Sequence, residues 1–427
     1  MPWSIAQRVK AMRGVVRRED TYGRLPYVRH YRTLDQVELK GKRVLLRAGF
    51  DLPMDGGSIV DAERIRAVLP TMRCILDAGA ALIIMAHQGR PRGLGFEAEL
   101  SQRPIVPILE KLLGVPVAFA ASCIGEETLA LAKALHPGHI LLLENLRFHK
   151  GEKKNDPAFS RELAQIGDLY VNDAFPNIHR EDASMVGVPE LLPAFMGLRL
   201  REELRHLSSV LEDPRRPLTV IIGGAKMETK IPVVSAFLDS ADDILIGGAV
   251  ANTFIAARGF DIGKSKHEPE FMLKAQEFML EGEKEGKADI HIPRDAVVAS
   301  TPTDATVRLD LPLEDIGGDM SILDIGKISV ERYSAMLKKA GMVVWNGPLG
   351  LYEVEAFSHG TRRIAEVIAS ATRSAGLVSI IGGGDTLDAH RRYGLPLSAY
   401  SFVSTGGGAM LDFLSGKRLH ALEALSL

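Results

Sequence analysis

Short apolar runs rich in β-branched residues alternate along the chain with stretches in which apolar residues recur every three or four positions. The short runs are typical of buried strands, and the longer stretches are typical of amphipathic helices. The alternation starts at Arg43 and continues towards the C-terminus, and this order builds parallel sheets covered by helices. We therefore predict an α/β fold of two doubly wound parallel-sheet domains joined by a hinge helix.

The same pattern locates elements in both halves of the chain. In the first half it predicts strands at 43–47, 80–85, 139–143 and 169–172, and helices at 62–77, 104–113 and 158–166. In the second half it predicts strands at 218–222, 244–246, 342–345, 378–381 and 402–404.

The segment 188–205 is the predicted junction, because Pro189 and Pro193 interrupt the pattern before a charged helix begins near Arg201. The predicted organisation comprises a basic N-terminal extension at 1–30, an acidic-substrate domain at 31–195, a nucleotide-binding domain at 196–410, and a C-terminal segment at 411–427. We expect this last segment to pack back on the N-terminal domain.

Composition narrows the class of protein. A length of 427 residues favours two domains, and 46% hydrophobic with 25% charged residues is typical of a folded globular chain. The formal net charge of −2 gives no bulk attraction to nucleic acid or anionic membranes, and no apolar run approaches a transmembrane length. Only Cys74 and Cys123 are present, which favours a reducing cytoplasm over a disulfide framework. We expect a cytoplasmic protein with small-molecule substrates, no nucleic-acid or membrane partner, and a monomeric or small homo-oligomeric state.

The first thirty residues are the compositional exception, since arginine and lysine outnumber acidic residues there. Ile5, Val9, Met12 and Val16 recur at helical spacing, which favours a short amphipathic tail docked on the surface. Organelle import, nucleic-acid binding and an oligomer contact are the open alternatives.

Four strands of the second half run directly into glycines. These strand ends are Ile222-Gly223-Gly224-Ala225, Ile246-Gly247-Gly248-Ala249, Ile381-Gly382-Gly383-Gly384 and Thr405-Gly406-Gly407-Gly408. Glycine lets the backbone approach a ligand closely, and the start of a following helix offers unpaired N–H groups. Because ligands bind beyond the carboxyl ends of parallel strands, the spacing predicts a phosphate or nucleotide site at one edge of this domain.

Cationic side chains follow the predicted strands of the first half. They are Arg64, His87, Arg90, Arg147, His179 and Arg180. For any single arginine a solvated surface position is the commoner explanation, but the turns 87–91 and 172–175 are of the kind in which functional residues concentrate. Since guanidinium groups bind phosphate and carboxylate in two-pronged geometry, the set predicts a site for a small, multiply charged anion.

From about Tyr31 to the C-terminus the sequence resembles the phosphoglycerate kinase family. The resemblance lies in 42–47, His87-Gln88-Gly89-Arg90-Pro91, 144–148, Asn172-Asp173-Ala174-Phe175, Gly223-Gly224-Ala225-Lys226, Trp345-Asn346-Gly347-Pro348, Gly382-Gly383-Gly384-Asp385-Thr386 and 404–409. The segments 87–89, 324–327 and 408–411 look more like the archaeal branch than the bacterial or eukaryotic one. The resemblance implies reversible transfer from 1,3-bisphosphoglycerate to MgADP, giving 3-phosphoglycerate and MgATP, by a glycolytic kinase that closes about a hinge.

The resemblance also implies roles for individual residues. Those implied to act in catalysis are Arg64, Lys226, Gly383 and Gly407. Those implied to bind the phosphoglycerate are Arg64, His87, Arg90, Arg147 and Arg180, with Gly49, Asp51 and Pro176 in the same pocket. Those implied to bind ATP or ADP are Gly223, Ala225, Lys230, Gly247, Gly248, Asn346, Pro348, Glu353, Gly384 and Thr386, with Glu353 on the ribose hydroxyls. Asp385 is implied to hold Mg²⁺.

Two departures fall where the family holds the body of the phosphoglycerate. The family pattern Asp-Phe-Asn reads Gly49-Phe50-Asp51, which moves a carboxylate two positions along the same side of a predicted strand. The family's Gly-Thr-Ala, Ala-Thr-Ala in the archaeal branch, reads Pro176-Asn177-Ile178, and proline cannot donate an N–H. An ionised Asp51 would repel a phosphorylated carboxylate unless a cation or a donor faces it, so we expect weak activity towards 3-phosphoglycerate.

Three functions are therefore in competition. The first is phosphoglycerate kinase activity. The second is the same nucleotide chemistry in a sister ATP-dependent kinase with another phosphorylated carboxylic acid as acceptor. The third is nucleotide binding without catalysis, against which the presence of Lys226, Asp385 and Thr386 argues.

Overall fold

The computed structural model describes residues 31–55 and 58–426, so the predicted basic extension lies outside the described residues. Two compact units are present. The first comprises the described part of Met1–Ala174, Glu181–Glu212 and the described part of Ala421–Leu427, and the second comprises Phe175–Arg180 and Asp213–His420. The limits predicted for the domains, and the hinge role of the joining helix, stay predictions.

The first unit is built on a six-stranded parallel sheet. The strands of the whole first unit, including two that lie outside this sheet, are β1 (Arg43–Ala48), β2 (Met54–Asp55), β3 (Ser58–Ile59), β4 (Ala81–Met85), β5 (Val117–Ala120), β6 (Ile140–Leu143), β7 (Leu169–Asp173) and β8 (Ala194–Met196). The sheet order is β5-β6-β4-β1-β7-β8, and β2 and β3 form a separate hairpin. The central strands β1 and β4 are almost entirely buried, because helices cover both faces of a doubly wound sheet.

Six helices lie in the described part of the first unit before the second unit begins. They are α1 (Glu63–Asp77), α2 (Val106–Leu113), α3 (Glu126–Lys133), α4 (Lys150–Lys153), α5 (Pro157–Ala164) and α6 (Leu198–Glu212). Local sequence explains several ends. Asp156 accepts the N–H groups of Ala158 and Phe159 at the start of α5, and Gly114 ends α2 with a left-handed φ of 75°.

The second unit contains two sheets. Its strands are β9 (Leu218–Ile222), β10 (Asp243–Ile246), β11 (Asp289–His291), β12 (Asp295–Ala299), β13 (Leu309–Pro312), β14 (Ser321–Ile325), β15 (Met342–Asn346), β16 (Val378–Gly382) and β17 (Phe402–Ser404). The parallel sheet has the order β11-β10-β9-β15-β16-β17, and β13-β12-β14 form a small antiparallel sheet. The parallel order brings the carboxyl ends of β9, β10, β15, β16 and β17 to one edge.

Eight helices complete the described chain. They are α7 (Ile231–Leu238), α8 (Gly248–Ala257), α9 (Met272–Gly282), α10 (Lys327–Leu337), α11 (His359–Ser374), α12 (Gly384–Arg392), α13 (Gly408–Leu414) and α14 (His420–Glu423). No helix among the described residues has both the length and the low polarity needed to span a bilayer. The prediction of two parallel-sheet α/β halves is confirmed.

Candidate active site

Arg47, the fifth residue of β1, is fully buried and contacts side chains at the predicted anion site of the first unit. Its Nε donates to Ser184 Oγ at 2.8 Å, and its Nη2 lies 2.9 Å from His87 Nδ1. Ser184 in turn donates to Glu152 at 2.6 Å. Arg47 is not among the residues for which the motifs imply a role. A charged residue inside an otherwise apolar strand was the signal that could have found it.

The contact with Arg47 determines the state of His87. A guanidinium group only donates, so His87 Nδ1 must accept and the proton of the neutral ring lies on Nε2. Burial lowers the pKa of His87 to about 3 against the opposing effect of Asp51, and the charges of Arg47 and Arg147 lower it further. His87 is therefore uncharged at neutral pH and presents an N–H to Asp51, whose Oδ2 is 3.7 Å from Nε2.

Asp51 lies beyond the end of β1, so the expectation that Gly49 and Asp51 share one side of a strand is wrong. Asp51 Oδ1 accepts the N–H of Gly89 at 2.9 Å, and its backbone carbonyl accepts from Arg64. Burial alone would raise the pKa of Asp51, but His87, the Gly89 N–H and the Arg64 charge hold it well below its usual range. A neutral imidazole N–H still stabilises a carboxylate, so His87 contributes to this lowering together with Gly89 and Arg64. The carboxylate is ionised and faced by donors.

Arg147 completes what we call the cationic cluster, formed by Arg47, Arg64, His87 and Arg147. Arg147 is buried, its Nη1 donates to the carbonyl of Gly89 at 2.9 Å, and its Nη2 lies 3.6 Å from Asp182 Oδ2. The structure thus brings three predicted substrate residues together with Asp51.

The remaining predicted substrate residues are placed differently. Gly49 is buried just beyond the end of β1, and Arg90 is exposed in the turn that carries Gly89. Pro176 and Arg180 lie in Phe175–Arg180, which groups with the second unit. Pro176 occupies the centre of a single 3-10 turn.

The four glycine turns of the second unit are of two kinds. At the first two, glycine permits backbones to touch: a Cβ on Gly223 would lie 2.2 Å from the Pro348 carbonyl oxygen, and one on Gly248 would lie 2.7 Å from the same atom. The N–H of Gly223 donates to the Asn346 carbonyl, and that of Gly248 donates to Leu349. These two N–H groups are engaged within the fold and are not available to an anion, and the anion site predicted at these turns stays a prediction.

The other two turns open into space. Gly383 and Gly407 precede α12 and α13 with φ values of 107° and 51°, a region that favours glycine. A Cβ on Gly384, Gly407 or Gly408 would meet no atom within 4 Å. A helix start with this much room can receive a phosphate group, since its dipole and N–H groups favour negative charge.

A cavity of about 400 Å³ lies at the same edge of the sheet. Its wall includes four of the predicted nucleotide-site residues, namely Ala225, Gly248, Pro348 and Glu353, and the predicted magnesium ligand Asp385. It also includes Asn252, Ile255, Leu349, Leu351, Tyr352 and Ser321–Ile325, which sequence reasoning missed. Among the described residues, the wall does not include Gly223, Lys226, Lys230, Gly247, Asn346, Gly384 or Thr386.

Asn346 and Thr386, which do not line the cavity, make hydrogen bonds within the protein near its wall. Asn346 Oδ1 accepts from Lys230 Nζ, and Asn346 Nδ2 donates to the carbonyl of Gly382 at 3.0 Å. The hydroxyl of Thr386, which is fully buried, accepts the N–H of Gly347 at 2.8 Å. Both side chains are therefore engaged within the protein and hold the strand ends in register.

Charged groups surround the open side of the edge. Burial lowers the pKa of Lys230 to about 8, and the charge of Asp385 opposes this shift. Lys226 is exposed in the turn between β9 and α7. Asp385 is exposed at the second residue of α12, where its carboxylate supplies the oxygen ligand that a hard cation such as Mg²⁺ requires.

The sequence profile of the family described as Phosphoglycerate kinase matches residues 34–417. A phosphoglycerate kinase from Azorhizobium caulinodans is 42% identical over 395 residues, which cover 92% of this chain and 99% of the relative. The chain belongs to the phosphoglycerate kinase family. A second relative with this name, from Methylorubrum populi, is 44% identical over 396 residues, covering 92% of this chain and 98% of the relative.

Solved structures of the family agree. The structure of phosphoglycerate kinase from Coxiella burnetii matches with a TM-score of 0.82 and 36% identity, covering 92% of this chain and 98% of that one. The enzyme from Pyrococcus horikoshii matches with a TM-score of 0.81 and 32% identity at the same coverages. The resemblance read from the motifs is confirmed, and the chain is a phosphotransferase that acts on a carboxyl group. The identities do not place the whole chain nearer to the archaeal branch.

Proposed function

We propose that this chain transfers a phosphoryl group reversibly between 1,3-bisphosphoglycerate and MgADP, giving 3-phosphoglycerate and MgATP. Family membership supplies the reaction. The observation that carries the proposal is the cavity at the carboxyl edge of the second sheet, whose wall combines Glu353 and Asp385 with the closely packed backbone at Gly248.

The first unit supplies the side chains for the phosphoglycerate. Arg64 and Arg147 are each anchored on a backbone carbonyl of this unit, of Asp51 and Gly89 respectively. Anchored guanidinium groups lose less conformational entropy when a phosphate or carboxylate binds. Arg90 adds an exposed charge beside them. The assignment of Gly49, Pro176 and Arg180 to the same substrate stays a prediction from the resemblance.

The second unit supplies the nucleotide site. Ala225, Gly248 and Pro348 form the wall on which the adenosine would lie, and the exposed carboxylate of Glu353 can accept from the ribose hydroxyls. Lys230 adds a positive charge beside Asp385, and the start of α12 at Gly384 has room for phosphate oxygens. Roles for Gly223 and Gly247 are indirect in this scheme, since they pack the wall.

Phosphoryl transfer depends on in-line placement and on charge around the equatorial oxygens, and it needs little covalent help. Arg64 and Lys226 supply positive charge for the group in flight, and the helix starts that follow Gly383 and Gly407 supply N–H donors. Hinge closure that excludes water is part of the proposal.

Asp385 would hold the magnesium ion, which would supply positive charge to offset that of the phosphate oxygens. Asp385→Ala should raise the magnesium concentration for half-maximal activity about tenfold, because the protein's oxygen ligand is lost. Asp239→Ala is the matched control, since Asp239 is an exposed carboxylate of the same unit that pairs with Lys287 and does not line the cavity. Magnesium titrations that coincide for wild type and Asp385→Ala would remove Asp385 from this role.

The direct test is a coupled assay with ATP, magnesium and 3-phosphoglycerate, with thermal-shift titration by MgADP in parallel. We expect turnover that requires all three components. MgADP binding without turnover of 3-phosphoglycerate would instead favour the sister kinase or the non-catalytic nucleotide-binding protein. A cytoplasmic location, a monomeric or small homo-oligomeric state and the absence of nucleic-acid partners stay predictions from composition.

A further inference from the structure

We infer that one surface of the first unit, which we call the docking patch, binds the anionic face of a phospholipid bilayer. The docking patch is formed by Arg92, Leu94, Phe96, Lys150, Lys153 and Lys154, all of the first unit. None of the six residues has a role in the proposed reaction, so the inference goes beyond the proposed function.

Two large apolar side chains are exposed on one short loop of the docking patch. Leu94 is 70% exposed and Phe96 is 66% exposed. Gly93 and Gly95 turn this loop with φ values of 74° and 125°, which favour glycine. A single exposed apolar residue needs no explanation, but two that are only two positions apart form an apolar tip. Covering both side chains with another apolar phase would be favourable.

Contacts with the segment after β6 hold the apolar tip in place. Leu94 forms an isolated antiparallel β-bridge with His149. The ring of Phe96 meets that of Phe148 edge to face, with ring centroids 5.6 Å apart. Since His149 and Phe148 are neighbours in the chain, both apolar residues lie over the same short segment. A loop ordered in this way loses less conformational entropy when a surface binds it.

Cationic side chains adjoin the apolar tip. The side chain of Arg92 is 79% exposed, and its Nε lies 3.7 Å from Glu97 Oε1. An exposed pair at this distance is weak, so Arg92 stays available to a further anion. Lys150 is next to the loop, because a Cβ on Gly93 would lie 3.6 Å from the Lys150 Cγ. The tip therefore carries positive charge on the loop itself and on the start of α4.

The end of α4 adds two further cations that nearby carboxylates offset only in part. Lys153 ends this helix, Lys154 follows it, and both are exposed. Glu152 is fully buried and accepts from Ser184, and Asp156 accepts N–H groups at the start of α5. The docking patch is thus locally positive, although the whole chain has a formal net charge of −2. The prediction of no membrane partner rested on that net charge, which does not describe a local patch.

An apolar tip beside lysine and arginine matches the chemistry of a membrane interface. Leucine and phenylalanine enter the boundary between headgroups and acyl chains, and anionic headgroups attract cations close to the surface. A single-stranded nucleic acid would also attract the cations, but its bases stack on aromatic rings and gain little from Leu94. An anionic bilayer complements both the apolar and the cationic residues.

The test is co-sedimentation of the full chain with lipid vesicles. Vesicles of phosphatidylcholine with about one third phosphatidylserine are compared with vesicles of phosphatidylcholine alone. We expect wild type to bind the anionic vesicles at least about tenfold more tightly at low salt, since each cation near the surface adds to the attraction. Added salt should weaken this binding, because it screens exposed charges.

Two double variants separate the apolar from the cationic contribution. Leu94→Ser with Phe96→Ser, and Lys153→Glu with Lys154→Glu, should each weaken binding to anionic vesicles at least about tenfold. The matched controls lie in the second unit and should bind like wild type. Leu273→Ser with Leu280→Ser removes two equally exposed apolar residues, and Lys338→Glu with Lys339→Glu makes the same change in net charge.

Equal binding of wild type to both kinds of vesicle would overturn the inference, as would anionic-vesicle binding that neither docking-patch variant weakens. Binding of single-stranded DNA in place of vesicles, lost in the same two variants, would assign the docking patch to nucleic acid and overturn it as well. The substituted side chains are exposed, so we expect the variants to fold. The wild-type comparison needs no variant, and none of these outcomes depends on turnover of 3-phosphoglycerate.

Discussion

The cationic cluster of the first unit and the nucleotide edge of the second are built from different parts of the polypeptide. In the cluster, side chains provide the binding groups, and buried partners such as Ser184 and Glu152 hold them. At the nucleotide edge, backbone segments drawn together at Gly223 and Gly248 provide much of the wall.

The two sites are therefore expected to be impaired by different kinds of substitution. A site made of side chains on buried partners fails when a charge or an acceptor is removed, because the remaining groups are left desolvated and unpaired. A wall made of touching backbones fails when an atom is added, because no flexible side chain can yield. Substitutions chosen on this basis should affect one ligand and leave the other unchanged.

The largest effect is expected at Lys226, where the nucleotide unit does depend on a side chain. Lys226→Met should lower kcat by about 1000-fold and leave the Kd for MgADP within about threefold, because a charge on the migrating group acts mainly in the transition state. Steady-state kinetics and calorimetry measure the two quantities. Lys284→Met, at an exposed lysine, is the control. Turnover of Lys226→Met within about threefold of wild type would contradict the assigned role.

The next effect concerns the buried centre of the cationic cluster. Arg47→Met should lower the free energy of unfolding by about 3 kcal/mol and weaken 3-phosphoglycerate binding, because the contacts to Ser184 and His87 are lost. MgADP affinity should stay near the wild-type value. Urea unfolding and calorimetry at low temperature are the measurements, with exposed Arg66→Met as control. Loss of MgADP binding in folded Arg47→Met would break the separation between the two sites.

A smaller effect is expected when one methyl group is added to the backbone wall. Gly223→Ala should lower the free energy of unfolding by about 2 kcal/mol and weaken MgADP binding, because its Cβ would lie 2.2 Å from the Pro348 carbonyl oxygen. Binding of 3-phosphoglycerate should not change. Gly259→Ala is the control for backbone strain without a steric clash. Gly259 has a φ of 93°, which an alanine adopts with strain, but a Cβ there would meet nothing within 4 Å. Equal MgADP affinities in both variants would refute the close-packing role.

The smallest effect is a pH dependence confined to one ligand. Because the pKa of Lys230 is about 8, the free protein loses this charge above pH 8, and bound phosphates favour the charged form. MgADP binding should therefore weaken by several-fold, and at most about tenfold, between pH 7 and pH 9. Calorimetry of Lys230→Met should show a flatter profile. If the wild-type affinities for MgADP and for 3-phosphoglycerate changed in parallel with pH, Lys230 would not be the source of the pH dependence.

Particular elements show which parts of the fold could be predicted. The strands at 218–222 and 402–404 were predicted with the bounds observed, because apolar β-branched runs next to glycine leave few other conformations. The edge strands β5, β8 and β11 and the small antiparallel sheet were missed. They are short or partly exposed, and a short apolar run alone does not distinguish a strand from a segment of helix.

Local periodicity and motifs in the sequence are enough to predict the fold class, the family and the residue types at the anion and nucleotide sites. Tertiary structure decided the state of each group. His87 is a neutral donor because Arg47, 40 positions away, occupies its Nδ1, and Asp51 is held by Gly89, 38 positions away. The two kinds of glycine turn differ only in what stands opposite them. Burial and hydrogen-bond partners come from distant parts of the chain, so no local pattern encodes them.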